Sequence, residues 1–338
     1  MNRTKIKNIG VSLNLRCNMN CSYCFQKDTA RKVEQIDNLE DKIIPILDKL
    51  YLNDIVTINF IGGEAMIMQD KLMKCIKKFK KYEREHDVKF KYLLKTNGTN
   101  AKDLVTLIDN NIIDPFVCIS YDGKYSDRTY IDINEFKPLL KYKDRVAIHI
   151  ALSKKSAKNM YNTVKELSDI GFKNFEYYFL YTDPIYEDEN YIKDFSNNLE
   201  KIVKLHCNGI IDLYNYTEAC KKKKLFDKTG KFVKGMSCND IHNIDILSDG
   251  TFAVCGFLNI YAQRDDPNVL DENSSIDDIE KSCTFLKDFY KDLHCPSDKC
   301  GNYQCVECSL YSERYRSIEQ QCKMRTVERE IFEKYMKQ

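Results

Sequence analysis

Three cysteines, Cys17, Cys21 and Cys24, stand close together directly after the first apolar run of the chain. Three thiolates from one loop leave an open coordination position on the iron they help to hold, whereas a structural zinc site is usually closed by four protein ligands. The spacing therefore favours an iron–sulfur cluster that can bind a further ligand. A zinc knuckle completed by a distant residue is the alternative.

The remaining cysteines suggest a second metal region. The chain has 15 cysteines and 5 histidines, and the segment from Cys238 to Cys322 is the most cysteine-rich. Reducing pools keep ordinary disulfides open in the cytosol, so metal binding explains this content better. Sites built almost wholly from sulfur restrict the choice to zinc or iron–sulfur.

Composition limits the class of protein. The net charge of the 338-residue chain is +2 with 31% charged residues, so no basic or acidic bias predicts a nucleic-acid or membrane partner. We find neither the apolar core of a signal peptide nor the run of about 18 apolar residues that a membrane span needs. The sequence predicts a cytoplasmic protein.

Short apolar runs alternate with amphipathic stretches, which is typical of βα units around a parallel sheet. Six units predict an α/β fold with a partial (β/α)6 barrel over residues 1–215, followed by a linker over 216–235. A small cysteine-rich domain with a C-terminal helix should occupy 236–338. The predicted strands cover 6–14, 55–61, 89–95, 115–121, 145–152 and 174–181.

Polar motifs follow these predicted strands, at the end where ligands bind in such sheets. Each motif alone has an ordinary explanation, such as a tight turn, a helix start or a core residue. All of the motifs occur in this order at the carboxyl ends of predicted strands, so a chance origin of the whole set is improbable. They are Gly62-Gly63-Glu64, Thr96-Asn97-Gly98, Ser120-Tyr121-Asp122-Gly123 with Arg128 shortly after, and Leu180.

The C-x3-C-x2-C loop, with Tyr23 before its third cysteine, resembles that of radical S-adenosylmethionine (SAM) enzymes. The resemblance implies that SAM chelates the open iron of a 4Fe-4S cluster and is cleaved to a 5'-deoxyadenosyl radical. The strand-end motifs would then bind the cofactor. The loop before Arg128 is shorter than in relatives, which leaves its equivalence open. The implied cofactor-binding residues are Tyr23, Gly62, Gly63, Glu64, Thr96, Asn97, Ser120, Asp122, Arg128 and Leu180.

The C-terminal cysteines resemble the SPASM module of auxiliary 4Fe-4S clusters. Cys238, Gly250 and Cys255 match its opening spacing, but the later gaps depart from the pattern. By that resemblance Cys238, Cys255 and Cys308 would hold one cluster, with Cys283 as a possible fourth ligand. The second cluster would use Cys295, Cys300, Cys305 and Cys322. Two alternatives stay open, which are a twitch-like domain with one cluster on Cys238, Cys255, Cys305 and Cys308, and a zinc-only tail.

Within this group the tail is most similar to maturases of cysteine-rich ribosomal peptides. That resemblance implies a cysteine-containing precursor peptide as substrate, thioether formation, and an external reductant of the flavodoxin or ferredoxin type. A sulfatase-maturating enzyme is the alternative, although Gly256 stands where those enzymes carry an aspartate. A non-catalytic electron carrier would leave the strand-end motifs unexplained. With the first predicted strand near residue 6, a leader-binding domain is not expected before it.

Overall fold

The structure, a computed structural model, describes residues 5–24, 35–180, 188–229, 242–254, 268–292 and 318–336. All six predicted strands are confirmed within one to three residues at each end, and three further short strands follow. The strands are β1 Ile6–Ser12, β2 Leu52–Ile61, β3 Lys89–Thr96, β4 Pro115–Ser120, β5 Val146–Leu152, β6 Asn174–Phe179, β7 Asp212–Leu213, β8 Asn243–Ile246 and β9 Phe252–Ala253. The helices are α1 Leu39–Leu47, α2 Gln69–Glu85, α3 Ala101–Asp109, α4 Lys154–Asp169, α5 Glu189–Cys207, α6 Tyr214–Thr229, α7 Ile276–Asp292 and α8 Ile318–Met336, with 3-10 segments at Ala65–Met68 and Ile133–Arg145.

The chain divides into two compact units. The first comprises residues 1–20, 24–118 and 237–292. Its strands lie in the order β3, β2, β1, β8, β9, and all neighbours are parallel except the hairpin of β8 and β9. The Ser248-Asp249-Gly250 sequence between two apolar runs predicts a hairpin turn, and the structure confirms it, with Gly250 at φ +81°.

Buried apolar and exposed polar side chains alternate along β3. Phe90 and Leu94 are buried, and the Phe90 ring meets Phe79 of α2 at 5.2 Å. Lys91 and Lys95 point to the opposite face and are exposed. Since side chains alternate along a strand, the helix-covered face is apolar and the other face of this sheet is polar.

The second unit comprises residues 21–23, 119–236 and 293–338. Its strands β5, β6 and β7 are parallel. Tyr177 and Phe179 of β6 pack edge-on against Phe195 of α5, and each pair of ring centroids is 5.3–5.9 Å apart. Helix α4 begins at Ser153, whose side chain forms a reciprocal capping box with Ser156. Such a cap contributes about 1 kcal/mol to helix stability.

Helix α8 packs on α5 and α6 in the second unit. Glu328 is 1% exposed; its carboxylate accepts from the Tyr177 hydroxyl and from Arg325 Nη1 at 2.8 Å. The sequence interval predicted as a linker is helical as far as Thr229, and 230–235 lies outside the described residues.

None of the described helices combines the length and the apolar character needed to cross a bilayer. Cysteine behaves as a small apolar residue, which predicts core positions for the scattered Cys75, Cys118, Cys207 and Cys220. Cys75 and Cys118 are buried as predicted, but Cys207 is exposed and Cys220 half-buried. The prediction was wrong for Cys207, which is the last residue of α5.

Candidate cofactor site

The cysteine loop follows β1 and carries three thiols, none of them in a disulfide among the described residues. Cys17 is exposed, Cys21 is buried and Cys24 is half-buried. The Cys17 sulfur accepts from the Met19 amide at 3.4 Å. The amide places one N–H donor on this sulfur, and ligating sulfurs of iron–sulfur sites accept hydrogen bonds of this kind.

The turn after β2 lies against this loop. The Gly63 amide donates to the Asn14 carbonyl at 2.9 Å, and the Glu64 amide donates to the Arg16 carbonyl at 2.8 Å. A Cβ atom at Gly63 would lie 1.8 Å from the Arg16 carbonyl oxygen, and Gly62 has φ +119°. Glycine is therefore required at both positions, at Gly63 by close approach and at Gly62 by conformation.

Glu64 joins the ends of β2 and β3. Its side chain is buried, and one carboxylate oxygen accepts from Thr96 Oγ1 at 2.8 Å and from the Met66 amide at 3.0 Å. The other oxygen accepts from the Asn97 amide at 2.6 Å. Three donors satisfy this buried charge, so Glu64 fixes the conformation of the Thr96-Asn97 turn.

Asn97 carries the contact on to the cysteine loop. Its Nδ2 donates to Asn18 Oδ1 at 2.7 Å and lies 3.7 Å from the Cys17 sulfur. Thr99 completes the link, since its hydroxyl donates to Asn97 Oδ1 and accepts from Asn18 Nδ2, each at 2.8 Å. Within the first unit the structure thus brings together Cys17, Gly62, Gly63, Glu64, Thr96 and Asn97.

A second group of predicted residues gathers in the other unit, around Asp122. One carboxylate oxygen of Asp122 accepts from the Ala151 amide at 2.8 Å, and the other accepts from the Tyr23 hydroxyl and from Arg128 Nε at 3.1 Å. The Asp122 side chain is 0% exposed and that of Arg128 10%. This is a hydrogen-bonded, largely buried ion pair, which is costly to break from either side.

Burial and the Asp122 charge shift the pKa values of the two other members of this group, Tyr23 and Arg128. Burial, reinforced by the Asp122 charge, raises the pKa of the Tyr23 hydroxyl well above its usual range. Burial alone would lower the pKa of the Arg128 guanidinium, but the neighbouring Asp122 carboxylate raises it above its ordinary value. Arg128 therefore stays charged and Tyr23 neutral at every physiological pH.

Arg128 keeps unused binding capacity. Asp122 takes only its Nε, and no other described residue accepts from the two terminal nitrogens.

Two further predicted residues lie at strand ends in this unit. Ser120 ends β4 and is partly exposed, and Leu180 follows β6 and is 8% exposed.

Residues 21–23 of the cysteine loop belong to the second unit and are held by its backbone. The Ser22 amide donates to the Asp127 carbonyl at 3.2 Å. The Asp127 side chain in turn pairs with Lys155 at 2.8 Å. Residues 21–23 of the loop are thus anchored next to Arg128, although the sequence offered no signal for this contact.

Most of the predicted auxiliary-cluster ligands lie outside the described residues: Cys238, Cys255, Cys295, Cys300, Cys305 and Cys308. Cys322 lies in α8, but its side chain is not described. Cys283 is 1% exposed on α7 and lines a small cavity with Ile6, Leu50 and Ile279. The assignment of these cysteines to clusters stays a prediction.

Sequence reasoning missed the polar residues on the helix-free faces of the strands. The Asp245 carboxylate of β8 occupies the space over Gly10 of β1, where a Cβ would meet it at 1.9 Å. His149 of β5 pairs with Glu176 of β6, Nε2 to Oε2, at 2.9 Å. The sequence held little signal for the pair, because His149 is a single polar residue within the apolar run of β5 and nothing local indicates its partner.

The fold and the site together define an α/β enzyme of the class that binds a nucleotide-like cofactor at the carboxyl ends of parallel strands, beside a three-cysteine loop. Residues 11–197, more than half of the chain, match the radical SAM superfamily. The chain belongs to this family, whose members use a 4Fe-4S cluster and SAM.

Solved structures confirm the fold. AnSMEcpe with bound S-adenosylmethionine has a TM-score of 0.66 at 18% identity, covering 88% of this chain and 87% of that one. AnSMEcpe is also known with a bound Cp18Cys peptide, at a TM-score of 0.65. Streptococcus suis SuiB bound to its precursor peptide SuiA has a TM-score of 0.56 at 11% identity, covering 88% of this chain and 69% of that one.

A protein of Methanocaldococcus jannaschii named for glycyl-radical enzyme activation is 27% identical over the aligned part, which is 33% of this chain and 48% of that protein. The chain therefore spans about half the length of this curated relative.

The donor types present are those of the family's cofactors, but the described side chains do not form a metal site. Cys17, Cys21 and Cys24 are three thiols on one loop, which is the donor set that leaves one iron of a 4Fe-4S cluster open, yet no three of the described Cys, His, Asp and Glu side chains are placed to hold a metal ion. Asn14 Oδ1, shortly before the loop, is buried and accepts from no described residue. When bound, the cluster supplies the electron that cleaves SAM to methionine and the 5'-deoxyadenosyl radical.

Proposed function

We propose that this protein is a radical SAM peptide maturase that forms thioether cross-links between cysteine sulfur and carbon in a ribosomally made precursor peptide. The network from Glu64 through Asn97 to Cys17 is the observation that supports radical chemistry, because it links the turns that would bind the cofactor to a residue that would hold the cluster. Cys17, Cys21 and Cys24 would hold the cluster. Gly62, Gly63, Glu64, Thr96 and Asn97 would bind the methionine part of SAM.

The second unit would bind the rest of the cofactor. Ser120 and the terminal nitrogens of Arg128 would contact polar groups of SAM, while Asp122 keeps the guanidinium oriented. Leu180 would pack on the adenine, and Tyr23 would close the site from the cysteine loop. These roles follow the motifs, and the geometry within the unit supports them.

Two observations support a peptide as the substrate. The solved relatives anSMEcpe and SuiB bind peptides, and the alignments to them cover 88% of this chain. The cysteine-rich tail supports auxiliary 4Fe-4S clusters, one or two in number, which accept the electron that a cross-linked product releases. An external flavodoxin or ferredoxin would supply the reducing electron.

Sulfatase maturation, with formylglycine as product, is the alternative that the likeness to anSMEcpe favours. Gly256 argues against it, since a proton acceptor is missing directly after Cys255. An electron carrier without catalysis is the alternative of another class, and it would not cleave SAM.

One experiment separates these functions. The anaerobically reconstituted protein is incubated with dithionite, SAM and a synthetic peptide library in which one cysteine precedes an acceptor residue at varied spacing. A maturase releases 5'-deoxyadenosine and yields a peptide that has lost two hydrogens and resists thiol alkylation. An aldehyde trapped by hydrazide would identify a sulfatase-type reaction instead, and absence of 5'-deoxyadenosine would identify a carrier.

A further inference from the structure

His149 and Glu176 form a polar pair on neighbouring strands of the second unit. They are register partners in the parallel pairing of β5 with β6. Their side chains meet Nε2 to Oε2 at 2.9 Å. The exposed fractions are 14% for the His149 side chain and 33% for that of Glu176, so the pair is accessible to a small group.

The pair lies on the face of the strands that is turned away from helix α5. Tyr177 and Phe179 pack on Phe195 of α5, and side chains alternate along a strand. Glu176 must therefore point to the opposite face, and so does its partner His149. In a (β/α) barrel that face is the interior, where the substrate of a barrel enzyme reaches the strands.

The contact with Glu176 indicates the tautomer of a neutral His149. A carboxylate only accepts, so Nε2, which faces Glu176 Oε2 at 2.9 Å, is the nitrogen that would carry the proton. Nδ1 then presents a lone pair, and no described group donates to it. A structural histidine of the same unit differs in this respect, because His206 Nδ1 accepts from the Leu213 amide at 3.1 Å. His149 is thus a carboxylate-oriented base with an available acceptor atom.

The pair lies close enough to the strand ends for a bound substrate to reach it. Asp122, just after β4, accepts from the Ala151 amide, so Ala151 marks the level of the strand end in this unit. His149 precedes Ala151 by two residues, about 7 Å at the rise of a strand. When a peptide carbon reacts next to SAM at the strand ends, a cysteine thiol close to that carbon would be within reach of His149.

We infer that His149 is the proton acceptor of the cross-linking reaction and that Glu176 is the residue that positions it; this rests on the proposed function. Bound SAM would supply the radical that takes a hydrogen atom from the peptide carbon. His149 Nδ1 would accept the proton of the cysteine thiol as its sulfur bonds to that carbon. An oxidised iron–sulfur cluster held by the C-terminal cysteines would take up the remaining electron, which balances the reaction.

The test compares product with radical formation in the holoenzyme. With the library peptide that the wild type modifies best, His149→Gln should release 5'-deoxyadenosine at the wild-type rate while cross-linked peptide falls on the order of a hundredfold. Peptide affinity, measured by fluorescence anisotropy, should stay unchanged. In His149→Ala, added imidazole should restore product. Cross-linking by His149→Gln at the wild-type level would overturn the inference.

Two further variants separate catalysis from structure. Glu176→Gln keeps an acceptor oxygen but loses the charge, so it should reduce product less than Glu176→Ala does. Glu176→Asp keeps the charge and should yield more product than Glu176→Ala. His86→Gln, at the exposed end of α2, is the matched control and should behave as wild type. If His149→Ala lost product with no response to imidazole, His149 would be a structural residue. If the wild type modified no library peptide, the proposed function itself would fail, and this inference with it.

Discussion

Asn97 Nδ2 lies 3.7 Å from the sulfur of Cys17, and the same nitrogen donates to Asn18 at 2.7 Å. A residue just after β3 thereby contacts a proposed cluster ligand and the residue after it. Hydrogen bonds to ligating sulfurs are among the factors that set the potential of an iron–sulfur cluster. We therefore expect the contact to influence the potential of a cluster bound by the cysteine loop.

This contact predicts the behaviour of Asn97→Asp. A carboxylate there would repel the Cys17 thiolate in place of donating to it, and hydrogen bonds to charged groups contribute about 1.5–3 kcal/mol. We expect a lower cluster potential and a 5'-deoxyadenosine rate reduced about 10-fold or more. Iron content and electron paramagnetic resonance under redox titration measure both effects. Asn110→Asp, at the exposed end of α3, is the control, and a wild-type potential in Asn97→Asp would refute the coupling.

Glu64→Gln should destabilise the fold. Both carboxylate oxygens accept hydrogen bonds, but the amide of glutamine can replace only one of them and would turn N–H groups towards a donor such as the Asn97 amide. A buried unsatisfied donor costs about 1–3 kcal/mol. The free energy of unfolding in urea should fall by that amount. Glu85→Gln, on the exposed end of α2, should leave it unchanged, and equal values for the two variants would contradict the assignment.

The fold was predictable from sequence because its signals are local. The apolar runs of the six strands and the turn at Gly250 each depend on a few consecutive residues, and all were found. The cofactor motifs were likewise visible at strand ends. The contacts that join them were not, because the pairings of Glu64 with Asn97 and of Ser22 with Asp127 depend on which loops meet in space.

The contacts of Asp122 were not visible in the sequence either. Its carboxylate accepts from Tyr23, Arg128 and the Ala151 amide, while its contact with the cofactor stays a prediction. His149 and Glu176 drew no attention because each sits alone in an apolar run, and only the β5–β6 register reveals the pair. Register is a tertiary property, so a single sequence predicts it poorly.

Gly63→Ala tests the close approach of the turn after β2 to the cysteine loop. The added methyl group would lie 1.8 Å from the Arg16 carbonyl oxygen, so the loop that carries Cys17 must shift. We expect a large loss of iron incorporation after reconstitution. Gly209→Ala is the control, since its Cβ would meet nothing within 4 Å and only its φ of +70° is strained. It should be less stable by about 1 kcal/mol and keep its cluster.

Two replacements of Arg128 should separate the effect of its positive charge from that of its forked guanidinium group. Arg128→Lys keeps the positive charge beside Asp122 but removes the fork that could bind an anionic group with two nitrogens. We expect SAM to bind about 10-fold more weakly while the protein still folds. Arg128→Ala should also lose about 3–5 kcal/mol of stability, because the Asp122 charge stays buried without a partner. Equilibrium dialysis with labelled SAM and urea unfolding measure the two effects, and tight binding by Arg128→Lys would exclude Arg128 from the cofactor site.

The thiols should differ sharply in reactivity with pH. Burial raises the pKa of the Cys75 thiol to about 12, with a smaller contribution from Glu40, whereas Cys17 is exposed. A raised thiol pKa favours the neutral, unreactive form, so the Cys75 thiolate becomes abundant only as the pH approaches 12. At pH 8 iodoacetamide should label Cys17 of cluster-free protein within minutes and leave Cys75 unmodified until urea unfolds the chain, as peptide mass spectrometry can show. Rapid labelling of Cys75 in the folded protein would mean that α2 does not shield it as the structure indicates.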